Sequence, residues 1–417
     1  MRRKSMRGDR LLAIAVAASL AACDSASPEA TGTVGTWSLT APLLEPRAGH
    51  SMTLLKDGRV LVAGGNQALA SDGTGPSLDS AELYDPVHGS WTSTGSMGTP
   101  RTFHAAVRLK DGRVLVAGGC KGWIGEPQVG WMWCDHLASA ELYDPATGTW
   151  TATGDMHNTR FGPAVLLDDG RVLVAGSETG LSLATFTPGS ESELFDPATG
   201  TWAATGSMGT ARIAPGLVLL PSGLVLAVGG WATLLAPTAV AELYDPASGT
   251  WRPTGQFGYP VLQQTMTLLP TGEVLLAGGR EDLWNPSDLP ARKVAQLFDP
   301  VHETWHATSP MTYRRVGPTA VRLATGQVLL SGGNYYDFEQ GGAGFYPAPG
   351  GDVYDPWLET WTPTPTMPHY VMYDSASVLL PDGDVLQAGG NMYDGDGFGW
   401  EDLLVISAAQ RFSWHPP

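Results

Sequence analysis

The heptapeptide RVLVAGG occupies residues 59–65 and recurs unchanged at residues 113–119. Variants follow at a spacing of about 50 residues. They are RVLVAGS at 171–177, LVLAVGG at 224–230, EVLLAGG at 273–279, QVLLSGG at 327–333 and DVLQAGG at 384–390. Each is a short apolar run that ends in small residues, which is typical of a buried β-strand. The chain therefore consists of seven copies of one unit, although its 417 residues would otherwise suggest two or three domains.

Each copy predicts four strands, which we call a to d. In the second copy they fall at residues 102–109, 113–117, 139–143 and 149–153. Residues 110–112 (KDG) predict a tight turn between strands a and b, and residues 144–148 (DPATG) predict a loop between strands c and d. One copy is thus a four-stranded antiparallel meander.

The period and the double glycine resemble those of the kelch repeat. The resemblance implies an all-β fold, a seven-bladed β-propeller over residues 37–417. A single meander cannot bury both of its faces, so neighbouring blades must stack around an axis. The tryptophans at equivalent d-strand positions are expected to pack between blades. They are Trp91, Trp150, Trp202, Trp251, Trp305 and Trp361.

The two ends of the chain predict how the ring closes. Residues 37–40 (WSLT) match a d strand that has no a, b or c strand before it, whereas the seventh copy stops near strand c, at residues 409–412. The strand around Trp37 is therefore expected to complete the last blade. Trp414 offers a second candidate for the same place.

The N-terminus predicts export. Five basic residues within the first ten precede an apolar run at residues 11–22, which is too short to span a bilayer and is typical of a signal peptide. Residues 20–23 (LAAC) resemble the bacterial lipobox, in which Cys23 would carry a lipid; cleavage by an ordinary signal peptidase is the alternative. We expect a signal peptide at 1–22, a flexible tether at 23–36, and a lipid anchor in the bacterial cell envelope, on the periplasmic side or the cell surface.

The charge limits the class of partner. The formal net charge is −17, and the signal peptide holds more basic than acidic residues, so the exported part is more acidic still. This charge argues against nucleic acid as a partner and against adsorption of the folded body to anionic lipid. Membrane contact is expected through the lipid alone.

The meander predicts where a ligand would bind. The a–b and c–d turns share one rim, here called the lower rim, and they are short and repetitive. The b–c loops and d–a links share the opposite, upper rim, where the loops are long and irregular. A ligand site is expected on the upper rim.

Four arginines precede strand a in matching places and could ring the upper mouth of the channel: Arg47, Arg101, Arg212 and Arg315. A ring of guanidinium groups would suit a carboxylate or an acidic peptide. The alternative is structural, since an arginine here can bind carbonyl groups of neighbouring loops.

Aromatic and acidic residues are concentrated in the sixth and seventh b–c loops, including Tyr335, Tyr336, Tyr393, Asp394, Asp396 and Trp400. Aromatic rings beside hydrogen-bonding acids would suit a sugar. Asp394 and Asp396 resemble the start of a calcium loop, but Phe398 and Val405 stand where further oxygen ligands are needed. We therefore predict no metal there.

Two cysteines, Cys120 and Cys134, bracket the second b–c loop. In an exported protein they are expected to form a disulfide. Metal ligation together with His136 is the alternative.

Over residues 37–417 the chain resembles the propeller of galactose oxidase and its relatives. Blade seven reads Tyr373-Asp374-Ser375, where the oxidases have Tyr-His-Ser and use the Tyr and the His to bind copper. Asp374 replaces that histidine, so copper-radical oxidase activity is not expected and no cofactor is predicted. The leading hypothesis is a non-catalytic module that holds a protein, peptide or glycan on the upper rim. The alternative is a carbohydrate-active hydrolase or lyase that uses acids such as Asp394 or Glu401.

Overall fold

The computed structural model describes residues 33–67, 76–126, 131–179, 187–233, 236–280, 293–337, 344–393 and 403–415. These residues form seven four-stranded antiparallel sheets and three two-stranded ones. The predicted signal peptide and Cys23 lie outside these residues. The described residues contain no helix that could cross a membrane.

The blades follow the order of the repeats. Blade one contains β2 (Ser51–Leu54), β3 (Val60–Ala63), β4 (Ala81–Asp85) and β5 (Ser90–Ser93). Blade two contains β6 (Ala105–Arg108), β7 (Val114–Ala117), β10 (Ala140–Asp144) and β11 (Thr149–Ala152). Blade three contains β12 (Ala164–Leu166), β13 (Val172–Thr179), β14 (Thr187–Asp196) and β15 (Thr201–Thr205). Blade four contains β16 (Gly216–Leu219), β17 (Val225–Val228), β18 (Ala241–Asp245) and β19 (Thr250–Pro253).

The remaining blades have the same plan. Blade five contains β20 (Thr265–Leu268), β21 (Val274–Ala277), β22 (Ala295–Asp299) and β23 (Thr304–Ala307). Blade six contains β24 (Thr319–Arg322), β25 (Val328–Ser331), β28 (Gly350–Asp355) and β29 (Thr360–Thr366). Blade seven contains β30 (Ala376–Leu379), β31 (Val385–Ala388), β34 (Ala409–Ser413) and, from the N-terminus, β1 (Thr36–Leu39).

The first strand of every blade lies against the first strand of the next blade, and the first strand of blade seven lies against that of blade one. The innermost strands thus form a closed ring around the axis. The second strands, such as β3 and β7, are buried along their whole length, which explains why the repeated apolar run identified them from sequence. The seven-bladed all-β propeller is confirmed.

The repeated tryptophans pack between blades as expected: Trp91 clusters with Leu380 and Leu386 of blade seven, and Trp202 with Leu115 and Leu142 of blade two. In every blade the outer-strand tryptophan lies opposite a Tyr or Phe of the third strand, with ring centroids 4.8–5.1 Å apart. Trp37 makes this pair with Phe412, at 5.0 Å and in direct register across β1 and β34. Trp37 is therefore the seventh member of the set, and the predicted closure by the N-terminal strand is confirmed. Trp414 follows the end of β34 and belongs to no strand.

Three boundaries differ from the sequence prediction. The predicted tether ends inside the propeller, because Val34 is 3 % exposed and its N–H donates to the Pro363 carbonyl oxygen (3.1 Å). In blade two the first strand begins at Ala105 instead of residue 102, because the backbone at Phe103 turns into the left-handed region. Three predicted b–c loops contain hairpins: β8 (Cys120–Glu126) with β9 (Trp131–His136), β26 (Asn334–Asp337) with β27 (Gly344–Pro347), and β32 (Asn391–Tyr393) with β33 (Leu403–Val405).

Candidate functional site

The lower rim satisfies its own polar groups. In the a–b turns Asp57, Asp111 and Asp169 each accept the backbone N–H and the Nε–H of the arginine two residues later, at 2.8–3.0 Å. In the c–d turns the first aspartate accepts the N–H two residues on, at 2.8–2.9 Å in six blades. These turns are short and nearly identical.

The four predicted rim arginines are buried, not open to a ligand. Arg47, Arg101, Arg212 and Arg315 are each 0 % exposed. The expectation of a guanidinium ring facing a ligand is therefore corrected, because these groups are enclosed by the protein's own acceptors. Burial lowers the pKa of Arg101 and of Arg212, and a carboxylate opposes that shift in each case.

Each arginine pairs with an acid on the third strand of its own blade. Arg47 Nη2 lies 2.6 Å from Glu82, and Arg101 Nη2 lies 2.8 Å from Glu141. The corresponding pairs in other blades are Arg160–Glu193, Arg212–Glu242 and Arg315–Asp352. The arginine Nη1 also donates to the carbonyl oxygen of the first glycine after the second strand, for example Gly118 (3.0 Å). In these five blades the pair therefore fastens the upper-rim segment to the blade's own sheet.

Blades five and seven lack both the arginine and the acid. Val261 and Met372 replace the arginine, and Gln296 and Gln410 replace the acid. Met372 and Gln410 are 1 % and 2 % exposed. A repeat that loses the cation also loses the anion, which supports a structural role for the pair, since an unpaired buried charge is strongly unfavourable.

The mouth of the channel has a backbone feature that recurs in all seven blades. The residue two positions before each first strand has a positive φ, between 47° and 124°. The seven residues are Gly49, Phe103, Gly162, Ala214, Gln263, Gly317 and Asp374. We call them the mouth ring. Glycine adopts this conformation at little cost and aspartate tolerates it, so the strained side chains of the ring are Phe103, Ala214 and Gln263.

Hydrogen bonds run from blade to blade along the mouth ring. The Phe103 N–H donates to the Gly49 carbonyl oxygen (2.8 Å), and the Gly49 N–H donates to that of Asp374 (2.9 Å). Between blades five and six, the Gly317 N–H donates to the Gln263 carbonyl oxygen (3.0 Å). In these three cases the N–H points toward the preceding blade. The ring therefore joins neighbouring blades at the mouth.

Asp374 carries the carboxyl group of the mouth ring. It is partly exposed, and one carboxyl oxygen accepts a hydrogen bond from Asn391 Nδ2 (3.0 Å). Burial in low-polarity surroundings raises the pKa of Asp374 to about 7, while the Asn391 hydrogen bond acts in the opposite direction. This carboxyl group thus changes charge near neutral pH.

The two histidines that precede the first strands are uncharged. Burial lowers the pKa of His50 and of His104 to about 3, helped by Arg47 and Arg101 respectively. His104 Nε2 lies 2.9 Å from Ser51 Oγ. Both histidines pack inside the sheet assembly.

The other predicted rim residues lie on or beside the added hairpins. Tyr335 and Tyr336 belong to β26, and Tyr393 belongs to β32, but the description does not extend to their side chains. Asp394, Asp396 and Trp400 lie outside the described residues. Their role in a ligand site remains a prediction.

Cys120 and Cys134 stand on paired strands, because Cys120 faces His136 and Cys134 faces Trp123 across β8 and β9. The side chain of Cys134 is outside the description, so the disulfide stays a prediction. His136 Nε2 lies beside a carboxyl oxygen of Glu178, and the His136 ring stacks on Phe161 at 5.8 Å. This nitrogen is thus directed at a carboxylate.

Comparison with known proteins agrees with the geometry. The model of the kelch motif matches residues 46–98 and 101–157, which cover blades one and two. The F-box/kelch-repeat protein SKIP30 of Arabidopsis thaliana is 32 % identical over 132 residues, which are 29 % of this chain and 34 % of that protein. Kelch-like protein 28 of Mus musculus is 30 % identical over 105 residues, 25 % of this chain and 18 % of that protein. The chain thus spans about a third or less of the length of these two relatives.

Two solved structures share the fold. One is a fungal alcohol oxidase of the AA5 family in complex with copper, with a TM-score of 0.64 and 18 % identity over 92 % of this chain and 76 % of that one. The other is YjhT, with a TM-score of 0.56 and 13 % identity over 78 % of this chain and all of that one. At these identities the likeness concerns the fold alone.

The residues at the mouth do not fit a copper centre. Asp374 stands where the resemblance to galactose oxidase implies a histidine, and its carboxyl group is held by Asn391. Across the described ranges no three His, Cys, Asp or Glu side chains group together so as to hold a metal ion.

Proposed function

We propose that this kelch-repeat β-propeller is a binding module. It holds a peptide segment of a partner protein at the upper mouth of its channel. A glycan in the same place is the second candidate, because the sixth and seventh b–c loops carry aromatic and acidic residues. The observation that carries the proposal is the contrast between the two rims. A carbohydrate-active enzyme on the upper rim remains the catalytic alternative.

The contrast favours the upper rim on physical grounds. The lower rim consists of short turns whose aspartates already accept local N–H groups. The upper rim carries the three extra hairpins and the strained mouth ring. Hairpins and irregular loops can supply backbone and side-chain groups that recognise a peptide. The kelch-repeat relatives support a protein ligand, since kelch propellers typically bind proteins.

A selection experiment with matched tryptophan variants tests this proposal. Random peptides are displayed, selected against the purified protein, and their dissociation constants are measured. Trp231 directly follows Gly230 on the upper rim and is partly exposed, whereas Trp357 lies in a c–d turn of the lower rim and is 57 % exposed. We expect Trp231→Ala to weaken binding at least about tenfold, as for an aromatic residue at an interface. Trp357→Ala should leave affinity unchanged.

If Trp357→Ala weakened binding and Trp231→Ala did not, the site would lie on the lower rim and the proposal would be refuted. A glycan array and an assay for released sugar run beside the selection. Release of sugar that stops in an upper-rim variant would replace the binding module with the carbohydrate-active enzyme. Binding of a glycan without product would favour the second candidate.

The cell-envelope location is part of the same proposal, and Cys23 tests it. When the full chain is expressed in a bacterium with a fatty-acid analogue, we expect label on the wild type and on Cys120→Ala, but not on Cys23→Ala. The reason is that the lipobox resemblance places the lipid on the Cys23 thiol. Mass spectrometry of the N-terminal peptide measures it. Label that persists in Cys23→Ala would contradict the anchor.

A further inference from the structure

Three c–d turns of the lower rim carry large apolar side chains. Val87, Val301 and Trp357 each stand two residues after the first aspartate of the turn and are 86 %, 82 % and 57 % exposed. Leu358, next to Trp357, is 72 % exposed. The two valines and Leu358 are the most exposed large hydrophobic side chains among the described residues. These side chains remain largely in water, so burial within the fold does not account for their size.

The same position of the repeat holds a small residue in the other turns. Blades two, three and four have Ala146, Ala198 and Ala247 there, and in all six turns the aspartate accepts the N–H of the residue at this position. Equivalent positions of a propeller lie on one circle around its axis, so the large side chains project from one face. The turn itself does not require them, and they are confined to blades five, six and one.

The chain enters the propeller within this arc of blades. Blade seven lies between blades six and one, and its outer strand β1 comes from the N-terminus, not from a c–d turn. Thr36, the first residue of β1, pairs with Ser413 at the end of β34. In the other six blades the first residue of the outer strand likewise pairs with the last residue of the third strand, beside the c–d turn. Strand β1 therefore begins at the lower rim.

We propose that the lower rim of blades five, six, seven and one is a contact surface for a zwitterionic lipid bilayer, with Trp357 and Leu358 at the level of the headgroups. The inference rests on the proposed lipid anchor at Cys23 and adds a second contact to it. Tryptophan is enriched at membrane–water interfaces, and apolar side chains add attraction in proportion to the area that they bury there. The upper rim then faces away from the membrane, where a partner protein can reach it.

The short tether allows a weak contact to suffice. Residues 23–32 separate the described chain from the lipid attachment site, and a flexible chain of this length spans about 17 Å on average. An anchored lipid therefore keeps the lower rim close to the bilayer, and the second contact becomes intramolecular. Four apolar side chains can then dock although they would hold a free protein only weakly.

Neighbouring turns hold the Trp357 ring in place. One ring atom lies 2.7 Å from the place where a Cβ on Gly326 would stand, and Pro270 of blade five lies 2.8 Å from the same place. The ring thus rests on the a–b turns of blades five and six, while more than half of the residue stays exposed. A side chain that is already oriented loses little conformational entropy on contact.

The carboxylates of the same turns select the kind of lipid. Asp85, Asp299 and Asp355 stand two residues before the apolar side chains. A hydrogen bond with His88 lowers the pKa of Asp85, and one with His302 lowers that of Asp299, so both are ionised at neutral pH. Anionic headgroups repel these carboxylates, in line with the net charge of −17, whereas phosphatidylcholine carries no net charge.

The test uses the full chain, expressed in a bacterium, purified and added to phosphatidylcholine vesicles with or without brominated acyl chains, which quench tryptophan fluorescence on contact. We expect brominated lipid to lower the fluorescence of the wild type and Trp357→Phe to lose most of this drop. Trp231→Phe, the matched change on the upper rim, should keep it. Leu358→Ala should reduce the drop, whereas Leu44→Ala, in a d–a link of the upper rim and 56 % exposed, should not.

A drop that Trp357→Phe leaves unchanged, or the absence of any drop, would overturn the inference. Replacement of part of the phosphatidylcholine by phosphatidylglycerol should weaken the drop at low salt, and a larger drop would contradict the choice of a zwitterionic surface. Analytical ultracentrifugation without lipid tests the other occupant. A dimer that Trp357→Phe abolishes would assign the rim to a second copy of the chain and would also overturn the inference.

The anchor and the rim contact fail by different measurements. Fatty-acid label on Cys23 without a Trp357-dependent drop would retain the anchor and refute the rim contact. A Trp357-dependent drop without label would refute the anchor and retain the rim contact. Peptide binding on the upper rim is measured separately, by the Trp231-dependent selection.

Discussion

Arg101→Met is expected to lower the free energy of unfolding by about 3–5 kcal/mol, because it leaves the Glu141 carboxylate buried without its cation. Glu141 is 4 % exposed, and its other partners are the N–H groups of Gly98 (2.7 Å) and Thr99 (3.1 Å). Two N–H groups do not compensate for a lost guanidinium. Chemical denaturation monitored by tryptophan fluorescence measures the change.

Blade seven supplies the control for this prediction. It holds Met372 and Gln410 in the places of Arg101 and Glu141, and Gln410 Nε2 donates to the His369 carbonyl oxygen (3.2 Å). The double variant Arg101→Met/Glu141→Gln introduces the same uncharged pair into blade two and should recover most of the lost stability. Arg59→Ala, which breaks an exposed pair with Asp57, should cost less than about 1 kcal/mol. A double variant as unstable as Arg101→Met would contradict the account.

The architecture could be predicted because it depends on features that repeat. Apolar runs mark the second strands, and Asp-Gly or Asp-Pro turns separate the others. Local turn chemistry and burial therefore act in the same direction in all seven copies. Trp37 could be identified as the missing outer strand because it completes a series of equivalent tryptophans.

The repeat period alone did not predict that the arginines are buried. Their spacing correctly placed them at the upper end of each blade, but whether a guanidinium faces solvent depends on its partner. The partner was visible in the sequence, because each copy with Arg has an acid at the position of Glu82, and the copies with Val261 or Met372 have Gln. Comparing the two positions across copies would have indicated an internal ion pair.

The mouth ring was harder to predict because it is defined by backbone conformation. Glycine occupies three of its seven positions, and the other four hold unrelated side chains such as Phe103, Gln263 and Asp374. No pattern of polarity or size connects them. The signal that could have found them is positional, since each stands two residues before a first strand.

Removal of residues 33–40 should open the ring and lower the melting temperature by at least about 10 °C. These residues include β1, which pairs with β34 from Thr36 opposite Ser413 to Leu39 opposite Gln410. They also include two contacts with blade six: Trp37 Nε1 donates to Thr364 Oγ1 (3.0 Å), and the Val34 N–H donates to the Pro363 carbonyl oxygen. Their loss exposes the edge of β34, and an exposed edge strand promotes aggregation. Differential scanning calorimetry and light scattering measure both effects.

Complementation in trans separates loss of closure from general damage. A peptide of residues 33–44 should restore the melting temperature of the shortened protein, because it can pair with β34 by strand addition. The same peptide with Trp37→Ala should restore little, since it lacks the ring that packs at 5.0 Å from Phe412. Removal of residues 414–417 is the matched control and should be mild, because β34 ends at Ser413. If that removal were as damaging as the loss of residues 33–40, closure would depend on Trp414 and the role assigned to β1 would be wrong.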